Sequence, residues 1–251
     1  MKTSLRRARL GFTLIELLVV IMILATLAGL AISRVDWARR SADTASAAAG
    51  ITQAHENVQL FRTMKGVYPS QWDSLIDSTT TGVYGKIFNG HGVAPQLQVQ
   101  TIPAVFGAPS GVVFSLQHAG IASILDHDPA ATFASDSASV ATIRTLNFMA
   151  ATPLACVVVD SNVDKAIYPT GRPAGVKLVA LGLGRGCTTN GLTLSSPPLC
   201  TAIDPSTSYG RFIAIFACYE SGKRAELKGF VDSTLQLAAN QLKNYYEAVP
   251  Q

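Results

Sequence analysis

Residues 12–32 read FTLIELLVVIMILATLAGLAI, 21 positions holding one charged side chain, Glu16. As a helix this run would be about 31 Å long, the thickness of a bilayer's hydrocarbon core. Four cations, Lys2, Arg6, Arg7 and Arg9, precede it with no acid among them. That asymmetry places the N-terminus on the cytoplasmic side and the rest of the chain outside. Arg34, Arg39 and Arg40 weaken the asymmetry beyond the span, and Asp36 offsets one of them.

The formal charge of +4 is carried by the same four leader residues, and without them 16 basic side chains face 16 acidic ones. A basic protein suggests phosphate or anionic lipid as partner. Here the excess belongs to the leader, so nucleic-acid binding is not expected.

Three readings compete for the run. A secretory signal peptide shares the order of basic and apolar regions but ends in an A-x-A-like site, and residues 25–31 do not form one cleanly. A plain transmembrane anchor fits the length but leaves Glu16 unexplained. A carboxylate early in a hydrocarbon span is costly, and such residues are usually functional.

Gly11-Phe12-Thr13-Leu14-Ile15-Glu16-Leu17-Leu18-Val19-Val20, behind its short basic leader, resembles the class III signal of type IV pilins and type II secretion pseudopilins. The resemblance implies cleavage between Gly11 and Phe12 by a prepilin peptidase on the cytoplasmic face, followed by N-methylation of Phe12. Cleavage would create an ammonium on Phe12, which Glu16 can neutralise in low dielectric. The amine could be the chain's own or a neighbouring subunit's. The family implies the neighbour, which makes Glu16 a register device for assembly.

The helix is expected to continue from residue 34 to residue 65. Small residues dominate Ala42–Ala49, and Ile51, Ala54, Val58 and Phe61 form an apolar stripe for the core. His55 and Glu56 are expected to face solvent. Gly66 supplies the stop and Pro69 follows. Gly66-Val67-Tyr68-Pro69-Ser70, with Trp72, Leu75 and Ile76, resembles the helix-to-loop transition of major pseudopilins, where a short turn of helix comes next.

Strand candidates are Gly111–Leu116, Ala155–Asp160, Val176–Leu181 and Arg211–Tyr219, with Val83–Phe88 and Leu97–Ile102 weaker. Leu227, Val231, Leu235, Ala238, Leu242 and Tyr246 recur at helical spacing and predict an amphipathic helix over 224–247. The expected fold class is α+β and pilin-like: a long N-terminal helix, its first half membrane-spanning, packed on an antiparallel sheet with an extra C-terminal helix. The parts are a leader (1–11), a membrane or filament-core helix (12–33), its continuation (34–65) and an enlarged head (66–251), with an insertion placed within 80–150.

Cys156, Cys187, Cys200 and Cys218 show no C-x-x-C spacing. Outside the cytoplasm disulfides are their natural state. Cys187–Cys200 would close a Gly-, Thr-, Ser- and Pro-rich loop, and Cys156–Cys218 would either join neighbouring strand candidates or stay buried thiols. Among remaining chemistry, Leu181–Gly186 is glycine-rich but lacks the G-x-G-x-x-G spacing, so a turn is expected. His118, Asp126, His127 and Asp128 form a candidate metal cluster that a surface loop explains equally well. Major pseudopilins often hold calcium, and Asp160 and Asp164 could supply carboxylates, yet no matching motif is present. No catalytic residue, metal or cofactor is expected, and the chain is not read as an enzyme.

The function implied is a structural subunit of a type II secretion pseudopilus. A type IV pilus subunit for adhesion, motility or DNA uptake, and a filament-tip binding or adhesin head, are the alternatives. Partners would be the chain itself, other pilin-like subunits, prepilin peptidase and an inner-membrane assembly platform. The expected location is the inner membrane, single-pass with the head in the periplasm, and then the filament.

Overall fold

The computed structural model describes residues 13–77, 96–107, 109–127, 140–201, 203 and 209–235. Side chains at 30, 31, 33, 36, 37, 40, 77, 127, 140 and 141 lie outside that description, as does the strand candidate Val83–Phe88. Helix α1 runs Leu14–Lys65. The chain divides into two compact units, Met1–Ala42 and Asp43–Gln251.

In the first unit α1 presents its apolar side chains outward: Leu14, Ile15, Leu17, Leu18, Val19, Val20 and Ile21 are 48–82% exposed. Among the described residues of the unit nothing covers them. Among the described residues no helix is long and apolar enough to cross a membrane.

The second unit is built on one eight-stranded sheet: β1 (Trp72–Asp77), β2 (Leu97–Ile102), β3 (Ser123–His127), β4 (Val140–Thr145), β5 (Thr152–Val157), β6 (Val176–Gly182), β7 (Ile213–Tyr219) and β8 (Glu226–Val231). Strand β6 is the branch point. It pairs with β7 along its whole length, from Val176↔Tyr219 to Gly182↔Ile213, and β8 follows on β7. Its other edge is shared by β5 at Cys156↔Val179 and β1 at Asp73↔Gly182. Among the described strands every pairing is antiparallel except β1 with β3, where Trp72 lies opposite Ile124. The expected antiparallel sheet is therefore mixed at one place. Among the described residues the unit also holds two short helices, α2 (Val112–His118) and α3 (Asn162–Ile167).

One sheet face packs on the second part of α1 through Ala47, Ile51, Ala54 and Val58, all buried, as the spacing predicts. Gly50 lets the helix close on Phe212: a methyl there would stand 2.7 Å from the ring. Gly66, at φ 74°, ends the helix as expected. Arg224 donates to the Gly66 carbonyl from the β7–β8 turn, and Arg62 donates to the Tyr68 hydroxyl at 2.9 Å. His55 is only half exposed and meets Phe230 edge-on at 6.3 Å, whereas Glu56 faces solvent. The other sheet face buries Leu75, Leu178, Ala180, Ile213, Ile215 and Ala217, with Val163 of α3 among them.

Three expectations are corrected. Gly111–Leu116 is not a strand: Val112, Val113, Ser115 and Leu116 are buried together, a helical grouping, and Ser115 Oγ donates to the Lys223 carbonyl at 2.5 Å. The helix predicted over 224–247 is strand β8 at 226–231, because Ser221-Gly222 (φ 75° at Gly222) turns the chain back along β7; residues 236–251 lie outside the description. The stretch after Pro69 is β1, not a turn of helix. Within 80–150, where an insertion is expected, the described chain holds β2, α2, β3 and β4.

Candidate functional site

Thr13 stands just before the first helical residue, and its carbonyl accepts the first helical hydrogen bond, from Leu17 N at 3.2 Å. Its Oγ1 accepts from Glu16 N at 3.3 Å. In return Glu16 Oε2 accepts from Thr13 N at 2.8 Å and from Thr13 Oγ1 at 2.9 Å. Thr-Leu-Ile-Glu is thus a reciprocal capping box, with both side chains serving the helix start. The acid also lies at the positive end of the helix dipole. Gly11 and Phe12 lie outside the described residues. Covalent geometry alone sets the Phe12 nitrogen one residue before Thr13 N, so a carboxylate held there is a ready counter-ion for an α-ammonium.

A second polar group lies inside the head, and sequence reasoning missed it. Asp73, fully buried, accepts from the Tyr209 hydroxyl at 2.7 Å, and Arg211 Nη1 lies 4.0 Å from the same oxygen, Oδ2. Burial and the Asp73 charge push the Tyr209 hydroxyl well above its ordinary pKa. The glycine-rich run supplies the room: a methyl on Gly184 would collide with the Asp73 carboxylate, one on Gly182 with the Tyr209 hydroxyl, and one on Gly186 with Leu125. That run is packing chemistry, as a turn reading implies. Gln71 and Leu75 flank Asp73 at φ 60° and 59°. No local sequence signal marks Asp73, because its partners lie more than 130 residues away.

The four cysteines are buried. Cys156 and Cys218 do not lie on neighbouring strands, since β6 runs between them. Two strand spacings, about 9.5 Å, exceed the roughly 7 Å that a disulfide spans between Cα atoms, so this pairing does not fit the sheet. Desolvation raises the Cys156 thiol to about 11 and the Cys187 thiol to about 12. All four are free thiols here and share one core cluster, Cys187 and Cys200 at the two ends of their loop.

The metal candidates are dispersed. His118 Nδ1 lies 3.3 Å from the Gly222 carbonyl and its ring stacks near Phe114. Asp126 is held bidentately by Arg144, at 2.8 Å to each oxygen; His127 ends β3 and Asp128 lies outside the description. Asp164 Oδ1 accepts from Arg172 Nε at 2.8 Å and Oδ2 from Asp160 N at 2.9 Å. Both Asp164 oxygens thus have partners within the head. Among the described residues no group of three metal-ligating side chains occurs.

No curated protein and no solved structure matches the chain. Residues 6–32 match the family described as "Prokaryotic N-terminal methylation motif". This stretch contains the whole leader-to-helix junction and the Thr13–Glu16 box. The segment is therefore a prokaryotic N-terminal methylation motif, characteristic of type IV pilin-like and pseudopilin prepilin-type proteins.

Proposed function

We propose that the chain is a structural subunit of a type II secretion pseudopilus, made as a precursor and cut between Gly11 and Phe12. The observation that carries this reading is the joined pattern of basic leader, Gly11, Phe12 and Glu16 within the matched segment. In it, residues 12–33 first anchor the subunit in the inner membrane and then pack in the filament core. The exposed Leu14–Ile21 side chains support that role, because they need an apolar environment. Glu16 neutralises the α-ammonium of a neighbour's Phe12 and so sets the register. The partners are other pilin-like subunits, prepilin peptidase and the assembly platform. The head faces the periplasm, where the Cys187–Cys200 loop closes as a disulfide.

The test is deletion of the coding sequence in the source cell. The reading expects accumulation of exoproteins in the periplasm with surface pili unchanged. Loss of surface pili with normal secretion would instead make the chain a type IV pilus subunit. Unchanged secretion and pili, with loss of surface attachment, would leave the filament-tip adhesin.

A further inference from the structure

We infer that Asn190-Gly191 is a site of spontaneous covalent modification that the fold holds closed. Glycine has no side chain to shield its nitrogen, so the pair is the least hindered setting for attack of a backbone nitrogen on the preceding asparagine. The Gly191 nitrogen loses its proton and bonds to Asn190 Cγ, the Cγ–Nδ2 bond breaks, and ammonia leaves. Water, the one co-reactant, then opens the cyclic imide to aspartate or isoaspartate at position 190.

In the folded head both reacting groups are engaged. The Gly191 N–H donates to the Leu194 carbonyl at 2.7 Å. Asn190 Nδ2 donates to the Gly184 carbonyl at 3.0 Å and to the Arg185 carbonyl at 2.7 Å. Beside them the Thr189 carbonyl accepts from the nitrogens of Leu192, Thr193 and Leu194 at 3.1, 3.0 and 3.1 Å, which pins the turn. The Asn190 amide thus fastens the glycine-rich run whose Gly184 stands against the Asp73 carboxylate. Asn190 Oδ1 is buried and accepts no hydrogen bond among the described residues. A carboxylate at 190 would set one oxygen against two carbonyl oxygens and leave the other buried without a donor. Both placements are unfavourable for a charge. The reaction is therefore suppressed while the turn is shut, and its product opposes closing the turn again. A head that lingers unfolded acquires a permanent mark against refolding. This chemistry does not depend on which filament the chain joins.

The detergent-solubilised full chain, incubated at mildly alkaline pH with and without guanidinium chloride, gives the test. Peptide mapping follows aspartate and isoaspartate at position 190, and Asn89-Gly90, the same dipeptide, is the clock of the unfolded sample. Position 190 is expected to convert as fast as position 89 in denaturant. In the folded chain it should convert about 10-fold more slowly or less, the weight of a hydrogen bond that must first break. Asn190→Ala removes the fastening without adding charge, and Asn190→Asp supplies the product directly. Both should unfold at lower denaturant than the original, Asn190→Asp the lower of the two. The rate comparison needs neither variant to fold. Equal rates at 190 with and without denaturant, no conversion at 190 where 89 converts, or an Asn190→Asp chain as stable as the original overturns it.

Discussion

The Tyr209 hydroxyl donates a 2.7 Å hydrogen bond to Asp73 Oδ2, joining β1 to the connection between β6 and β7 across 136 residues of sequence. Arg211 balances the same buried carboxylate from 4.0 Å. Truncating one member of a buried charge pair costs about 3–5 kcal/mol, since the other is left uncompensated. Asp73→Ala is therefore expected to lower stability by about that amount. Tyr209→Phe, losing one hydrogen bond to a charged acceptor, costs about 1.5–3 kcal/mol. Urea unfolding of the detergent-solubilised chain measures both, and a Tyr209→Phe midpoint unchanged from the original would contradict the assignment.

Gly50→Ala reverses the ordinary sign of its class. Alanine in a helix interior is favoured over glycine by up to about 1 kcal/mol. Here the added methyl meets Phe212 at 2.7 Å, and the aromatic ring cannot fold out of the way. Overpacking of this kind costs about 1–3 kcal/mol. A lower melting temperature is expected, and a higher one would show that α1 does not seat against Phe212.

The thiols give a redox and pH readout. Cys156 and Cys218, buried under desolvation that raises both, are expected to resist a maleimide at pH 8 until the chain is unfolded. In protein taken from the periplasm, peptide mapping should join Cys187 to Cys200 and leave Cys156 and Cys218 reduced. A Cys156–Cys218 linkage would contradict the β5–β6–β7 order. Because burial raises Cys156 from 9.0 to about 11, its stabilising contribution is whole below pH 9 and is lost as pH rises through 11. Stability should accordingly fall between those values.

Glu226 carries the opposite sign. Its bonds from Lys223 at 2.8 Å and Lys228 at 2.9 Å hold its carboxyl at about 2, against an ordinary 4.5. A depressed acid stabilises the fold above its unfolded pKa and loses that contribution as pH falls through its folded one. Acidification from pH 4.5 to 2 should weaken the original chain more than Glu226→Gln. The pair is solvent-screened, so the difference is small. Equal acid sensitivity in the two chains would remove the role.

What could be read from the residues depended on how local the cause was. The stripe Ile51, Ala54, Val58 and Phe61 and the stop at Gly66 need only helical spacing and one left-handed residue, and both are in place. Leu97–Ile102, matched residue for residue by β2, is marked by its own β-branched alternation. The Gly111–Leu116 run failed because two adjacent valines suit a strand until Ser115 finds its partners at Lys223 and Tyr219. Over 224–247, Leu227, Val231 and Leu235 keep a spacing of four that a helix and an alternating strand share, and the turn at Gly222 decided for the strand. The functional end was legible because a methylation motif is a local pattern. The Asp73–Tyr209–Arg211 cluster was not, being assembled only by strand order.

The most direct test of the subunit reading is the N-terminus of the protein isolated from membranes of the source cell, read by intact mass and N-terminal peptide mapping. The account predicts a chain beginning at N-methylated Phe12, with residues 1–11 gone. A chain still beginning at Met1, or one cut within 25–33 in the manner of a secretory signal peptide, would contradict it.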